Sequence, residues 1–459
     1  ILIMIFPLFL FGNISYSHKG YLDIGTIHRL SDGSIIKIPY RMITYESVTS
    51  YKNLNLKYNN ALEFRLNDVN NILNSDLKID LRELYFELQL PNGDISFGKQ
   101  IITWGSTSTN NPTDIVSPYN YYYLFSKGKE QKEGILSLNS NLYYNDIKLN
   151  FVISPFYNSH VIPLNDKEFP IGLPIEDPST NEPLEIKNEQ IMNVSNPFEY
   201  GLSIMFPIKN IDITSSFFSG YDRAFSFFGA NLWTGGNSNP DGIKTDIVLS
   251  YRKTQMFGLG LSGIINDFSF NADVGYFKTN DNIQDISDST LYRFWQSGVD
   301  EFIENCKAYN ETASWNTFFQ EIDCYNEDNP VAKFNNTQLI DNRADYLQYT
   351  LELEFSPTND FRIIGQVSIS DLINIGIADS IITSRKTFMF DPLEFFIPGI
   401  GLSNTFISEK SLTLLLQKNF QEIDLEIKFS SMIDLDNRGS INEFGIDYTI
   451  LKNTKLLIA

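Results

Sequence analysis

Carboxylates two residues apart recur along this chain, as in Glu352 with Glu354 and Glu422 with Asp424 and Glu426, and others stand at Asp212, Asp273, Glu443 and Asp447. Such groups can move protons, hold cations or line a wet passage. Hydrolytic acid–base chemistry needs an activated nucleophile or water, generally with a histidine near an acid. The three histidines, His18, His28 and His160, sit in no recognisable nucleophile motif. Cys306 and Cys324 are the only cysteines, and both fall in the longest loop, so a loop-closing disulfide is the natural reading in an oxidising compartment. The histidines lie far from them in sequence, which argues against a shared metal site, and no cofactor is expected.

The carboxylates are better explained by the elements that carry them. From Gln421 to Phe429, Ile423, Leu425, Ile427 and Phe429 share one face of a strand, while Glu422, Asp424, Glu426 and Lys428 share the other. The same split appears where Phe268, Phe270, Ala272, Val274 and Tyr276 oppose Asn271 and Asp273. It appears again where Tyr349, Leu351, Leu353 and Phe355 oppose Thr350, Glu352 and Glu354. Many runs reach about 9 to 11 residues, the length a tilted strand needs to cross a hydrocarbon layer. Short turns, such as Pro91 to Asp94, Asn266-Asp267 and Ser356 to Asp360, alternate with long polar excursions at 105–133, 158–196, 222–242, 280–342 and 372–404. The pattern predicts a transmembrane antiparallel β-barrel of about 16 strands, within a range of 14 to 18, with long extracellular loops, in the bacterial outer membrane.

Ile1 to Phe11 is an almost unbroken apolar run followed by Ser15-Tyr16-Ser17. It reads as the core of a secretory signal over 1–17, truncated at its start, with cleavage after Ser17. The barrel then occupies 18–459 and stops at Leu456-Leu457-Ile458-Ala459, before a final strand is complete. A formal net charge of -21 argues against a nucleic-acid partner, which would need a basic footprint. Aromatic richness, 36 Phe, 24 Tyr and 4 Trp, suits interfacial girdles, with Trp104, Tyr143 and Tyr144 as candidates.

From Leu81 the chain reads Leu-Arg-Glu-Leu-Tyr, then Gly98-Lys99-Gln100, then Trp104-Gly105 and finally Asp114-Ile-Val-Ser-Pro118. In order and spacing this resembles the outer-membrane barrel family called domain of unknown function 1302. Its members carry an L-R-E-x-Y strand, a G-R-Q partner, W-G and a D-x-x-x-P loop. Lys99 stands where Arg is commoner, and Asn110-Asn111 replace the charged residues often seen after W-G. The resemblance implies envelope transport, often beside export machinery for apolar compounds, and brings no catalytic set.

Read from alternation alone, Glu83, Tyr85, Glu87 and Gln89 face inward, which leaves Arg82 on the lipid side, tolerable only near the outer rim. Arg82, Glu83, Lys99 and Gln100 are expected to form a polar network in or near the wall, for stabilisation or for solute contact. Inward acids (Glu63, Asp212, Asp273, Glu352, Glu354, Glu422, Asp424, Glu426, Glu443, Asp447) outnumber inward bases (Arg65, Lys148, Arg362, Lys428). Like charges two positions apart on a strand repel across roughly 7 Å unless screened, so the lumen is expected to be hydrated and to favour cations or neutral solutes.

Tyr121, Tyr122 and Tyr123 with Lys127 and Lys129 are expected to fold inward as a constriction. Phe388, Phe390, Phe395 and Phe396 form an apolar loop patch, either an access site for apolar ligands or a cap packed on its neighbours. The function these features imply is a porin-like channel passing small solutes, apolar or export-linked compounds among them. A hydrolase resting on His28 or His160, or a non-conducting receptor or adhesin resting on the long loops, is the alternative.

Overall fold

The computed structural model describes residues 14–28, 32–67, 75–123, 126, 128–164, 166, 168, 191–194, 196–235, 243–280, 332–341, 343–377, 379–382, 387–390, 393, 408–451 and 454–458. A 17-stranded sheet dominates them, one strand above the expected number and inside its range. Its strands are β1 (Ile14–Leu22), β2 (Tyr40–Tyr51), β3 (Leu54–Arg65), β4 (Asp76–Leu90), β5 (Gly93–Gln100) and β6 (Ile135–Tyr144). There follow β7 (Ile147–Ser154), β8 (Glu199–Ile208), β9 (Ile211–Tyr221), β10 (Lys253–Ile265), β11 (Phe268–Asn280) and β12 (Ala344–Thr358). The last are β13 (Phe361–Ile375), β14 (Lys410–Phe420), β15 (Leu425–Asp434), β16 (Ser440–Leu451) and β17 (Thr454–Ile458). Each pairs antiparallel with the next in chain order, which is the meander of an up-and-down barrel wall.

Alternation sets the two faces. Phe86, Leu88, Phe97, Phe151, Phe257, Leu259, Leu351, Leu353 and Phe444 are exposed on the outside, while Ser96, Asn150, Ser216, Asp273, Glu352 and Gln366 are buried on the inside. A wall that is apolar outward and polar inward suits lipid around it and water or protein within. At one rim the strands join through tight turns. Lys52, Asn145, Lys209 and Asn266 open two-residue turns with left-handed φ of 53°, 52°, 58° and 55°, mirror-image turns whose twist matches the flanking strands. The long connections all leave the other rim.

Residues 15–17 lie in β1 and pair with 48–50 of β2; residues 1–13 lie outside the described set. Several expectations change. The run at Gln421 is not all strand: Gln421–Ile423 forms a 3₁₀ turn and Asp424 takes a left-handed φ of 49°, so β15 starts at Leu425. Asp424 therefore belongs to a turn and not to the inner wall, a conformation its short side chain tolerates. The excursions after β9 and β11 also carry structure. Strands Ser226–Gly235, Ile243–Ser250 and Ala332–Leu339 pair into a separate three-stranded sheet.

Arg82 is not on the lipid side. The β3–β4 ladder shifts register between Asn59 and Asn60, opposite Glu83 and Leu81, which makes Arg82 the extra residue of a β-bulge. Leu81 and Leu84 stay outward while Arg82 and Glu83 both turn inward, and Arg82 is 1% exposed. Trp104 is no girdle residue either, since it is buried inside the wall, whereas Tyr143 and Tyr144 are exposed beside a tight turn.

Candidate functional site

Between β5 and β6, the described residues 101–123, 126 and 128–134 fold into the lumen instead of standing above the rim. The root of this loop is built by the bulge. Arg82 Nη1 donates to Glu130 Oε2 at 2.7 Å and Nη2 to the Lys129 carbonyl at 2.7 Å, and Arg41 of β2 donates to the same Glu130 carboxylate at 3.1 Å. Glu83 accepts the Ile101 amide at 3.0 Å. The Leu81 carbonyl beside the bulge accepts from Lys99 Nζ, and Gln100 bridges Ser96 and the Ser137 carbonyl. Arg82, Lys99 and Gln100 thus tie the loop's base to three neighbouring strands.

Inside the loop, the Trp104 amide donates to Asp114 Oδ1 at 2.8 Å and its indole N–H to Asn150 Oδ1 at 2.7 Å. Gly105 turns with φ 82°, and a Cβ there would lie 2.1 Å from Asn111 Nδ2, so no side chain fits. Asp114 pairs with Lys132 at 2.9 Å, both almost wholly buried. Burial lowers the Lys132 amine's pKa while Asp114 works against that shift.

The loop then reaches the far wall. Asp273 of β11 accepts the Ser106 and Thr107 amides at 2.8 and 2.7 Å, Glu352 of β12 accepts the Ser108 amide at 3.0 Å, and Gln366 of β13 accepts the Asn110 amide at 3.0 Å. Four backbone contacts within five residues leave no free swing. Beneath the crossing lies an apolar cluster that includes Ile102, Trp104, Val116, Phe218, Met256 and Phe277. At ~1.5–3 kcal/mol per fully buried large apolar side chain, this packing holds the loop as firmly as its polar contacts do. From the connection after β9, Arg223 donates to the carbonyls of Ile115 and Val116 and to Glu199, at 2.8 to 2.9 Å.

The aromatic run is an anchor more than a rim. Tyr121–Tyr123 forms a 3₁₀ turn with Tyr121 and Tyr123 buried. Tyr123 donates to Glu63 at 2.6 Å and lies under the Arg41 guanidinium, 3.7 Å from its ring centre. Burial pushes the Tyr123 phenol far up, and Tyr122 to about 12. Lys129 is half-exposed, 3.8 Å from Glu83, and Lys127 lies outside the described residues. So do Cys306, Cys324, Phe395 and Phe396, while Phe388 and Phe390 pair through their backbone with Ile381 and Asp379 in a short hairpin.

The remaining inward acids spread around the wall. Glu87 pairs with Lys57 at 2.6 Å, Glu354 with Arg362, and Glu426 and Asp447 share Lys428. Asp212 stands exposed near the tight-turn rim of β9. The two halves of the wall differ. Asp273, Gln348, Thr350, Glu352, Gln366 and Ser368 of β11–β13 are at most 3% exposed under the loop, whereas Glu426, Lys428 and Asp447 on β15–β16 are a fifth to a third exposed. Below the crossing, on the tight-turn side, an open recess of about 300 Å³ is lined by polar groups such as Tyr85, Glu87, Asp94, Asn141, Lys148 and Asn150.

Sequence reading missed the wall contacts of 106–110, because nothing local marks an amide that will meet a carboxylate over a hundred residues away. The bulge did leave a signal. Apolar positions run odd at Leu77, Ile79 and Leu81 and even at Leu84, Phe86, Leu88 and Leu90, and that change of parity requires one extra residue between them.

No protein-family model and no curated protein matches the sequence. Among solved structures, the chain is similar to OmpT, an outer membrane protein of Vibrio cholerae, at a TM-score of 0.39 and 8% identity, over 96% of this chain and 89% of that one. It is similar to a triple mutant of the Rhodopseudomonas blastica porin at 0.34 and 8%, over 95% and 99%, and to Salmonella typhi OmpF in complex with daunomycin at 0.35 and 8%, over 91% and 88%. Likenesses this loose carry neither an activity nor a substrate to this chain.

Proposed function

We propose that the chain is a solute channel of the bacterial outer membrane, narrowed by a fixed loop that crosses its lumen. The observation that carries this reading is the anchoring of residues 106–110 on Asp273, Glu352 and Gln366, which divides the interior into a filled half and a hydrated half. Water and small solutes pass along β14–β17 and β1–β2, where Glu46, Glu426, Glu443 and Asp447 face Lys19 and Lys428. The surplus of acid favours cations and neutral solutes over anions. The resemblance to the family of unknown function 1302 extends the proposal to export-linked compounds and to envelope export machinery as a partner.

Transport is proposed in preference to hydrolysis because, among the described residues, neither His28 nor His160 bonds a carboxylate, the pairing an activated nucleophile or water generally needs. His160 Nδ1 accepts the Tyr119 amide at 2.8 Å, and the His28 ring lies within hydrogen-bond distance of Thr26 and the Gly33 carbonyl. Purified full-length protein in planar bilayers, together with swelling of liposomes in sugars of graded size, tests the channel. Discrete conductance steps with a cation-side reversal potential support it. A protein that inserts but carries no current, or one that prefers anions, refutes it.

A further inference from the structure

The open recess of about 300 Å³ on the tight-turn side of the infolded loop carries two charges of opposite sign that no described neighbour neutralises. Its other charged groups are matched, Glu87 with Lys57 at 2.6 Å and Lys129 with Glu83 at 3.8 Å. Asp94 of β5 and Lys148 of β7 line the same space, both half-buried, and neither is in an ion pair among the described residues.

Neutral groups hold Asp94 in place. The Trp104 indole donates to Asn150 Oδ1 at 2.7 Å, Asn150 Nδ2 to Asn141 Oδ1 at 2.9 Å, and Asn141 Nδ2 to Asp94 Oδ1 at 2.9 Å. Every donor in this chain points toward the carboxylate, which positions it without cancelling its charge. Asp94, Asn141 and Asn150 stand level across β5, β6 and β7, and Lys148 is two residues along β7 on the same inward face. With strands ~4.8 Å apart and a rise of ~3.4 Å per residue, Asp94 and Lys148 are rooted about 12 Å apart. Both project into the recess, so an occupant has about that span to bridge.

A lone cation or a lone anion would answer one charge and leave the other. A molecule with an ammonium at one end and a carboxylate at the other answers both. Charge-assisted hydrogen bonds of about 2.8 Å at each end leave roughly 6 to 7 Å for the molecule, the length of two extended residues. We propose that this recess binds small zwitterions of dipeptide length, with the ammonium on Asp94 and the carboxylate on Lys148. A free amino acid carries both charges on one carbon and reaches only one of the two. The site deepens the channel reading and rests on it for the delivery of solute, but binding is read without current, so the two can fail separately.

Saturation-transfer NMR on the detergent-solubilised full chain, with diglycine, glycine, N-acetylglycine and glycinamide as probes, tests the site without any variant. A saturable signal from diglycine is expected, with binding about tenfold weaker for the other three, each of which forfeits one charge-assisted bond. Asp94→Asn keeps the acceptor for Asn141, and Lys148→Met breaks no described side-chain bond. With folding checked by heat-modifiable gel mobility, Asp94→Asn should bind diglycine and N-acetylglycine alike, and Lys148→Met should bind diglycine and glycinamide alike. A signal that does not saturate, any of the three controls binding as well as diglycine, or folded variants that keep the wild-type preference would overturn the proposal. Diglycine binding of this pattern in a chain that carries no current supports the site and removes the channel reading alone, whereas current without binding removes the site alone.

Discussion

Asp273 Oδ2 lies 2.7 Å from the amide nitrogen of Thr107, 166 positions away in sequence, and the same oxygen accepts the Ser106 amide. One wall carboxylate therefore caps two successive loop amides. Both donors are backbone, so the hold does not depend on ordering a long side chain. Hydrogen bonds to a charged acceptor contribute about 1.5–3 kcal/mol each. Asp273→Ala is expected to raise amide exchange at 106 and 107 by about 10- to 100-fold and to make the single-channel current noisier. Exchange unchanged at both amides would count against the clamp.

Arg82 is held at the root by Glu130 and the Lys129 carbonyl. Arg82→Met leaves Glu130 with Arg41 alone. Glu130 is a third exposed, so the cost falls below that of a fully buried broken pair, at about 1–3 kcal/mol. A lower temperature for loss of the folded gel mobility is expected. Arg82→Lys should restore less than half of the loss, since one ammonium cannot fork to both acceptors.

His160 supplies a pH dependence. Burial, with Arg223 and Lys132 nearby, drives its pKa well below the usual 6.5. Above about pH 6.5 the ring is neutral whether the loop is seated or open, and the contribution is fully present. As pH falls below that, the open form takes up a proton that the seated form refuses, so opening becomes easier. Exchange at the Tyr119 amide should speed up between pH 6.5 and 5, and His160→Gln should lose that part of the pH response.

Much of this architecture is written in alternation, because a lipid-facing side chain every second residue cannot be hidden. The inward side of β12 at Glu352 and β16 at Asp447, the tight turn at Asn266 and the length of the excursions could all be read this way. Arg82 was misplaced because strict alternation was carried through a bulge, and Asp424 because an amphipathic run continued through a turn. Tyr121–Tyr123 signalled an infolded loop, but aromatic type alone does not say whether a ring narrows a pore or anchors its frame. The meeting of Ser108 with Glu352 depends on how the whole sheet curls, which no local stretch encodes.

In the proposed channel, selectivity comes from the free half of the wall. Replacing Glu426 and Asp447 together by Gln and Asn leaves Lys428 without its two carboxylates. The reversal potential in a salt gradient should move toward anions. The shift should shrink from 0.1 M to 1 M salt, as the screening length falls from about 10 Å to about 3 Å. A shift independent of salt would place these groups away from the ion path.

The central claim is that residues 106–111 stand across a water-filled passage. Single-channel conductance of the wild-type chain against a variant lacking those residues tests it most directly. A conductance several-fold higher in the deletion, with the same apparent molecular mass and insertion, is predicted. Equal conductance in the two, or none in either, would contradict it.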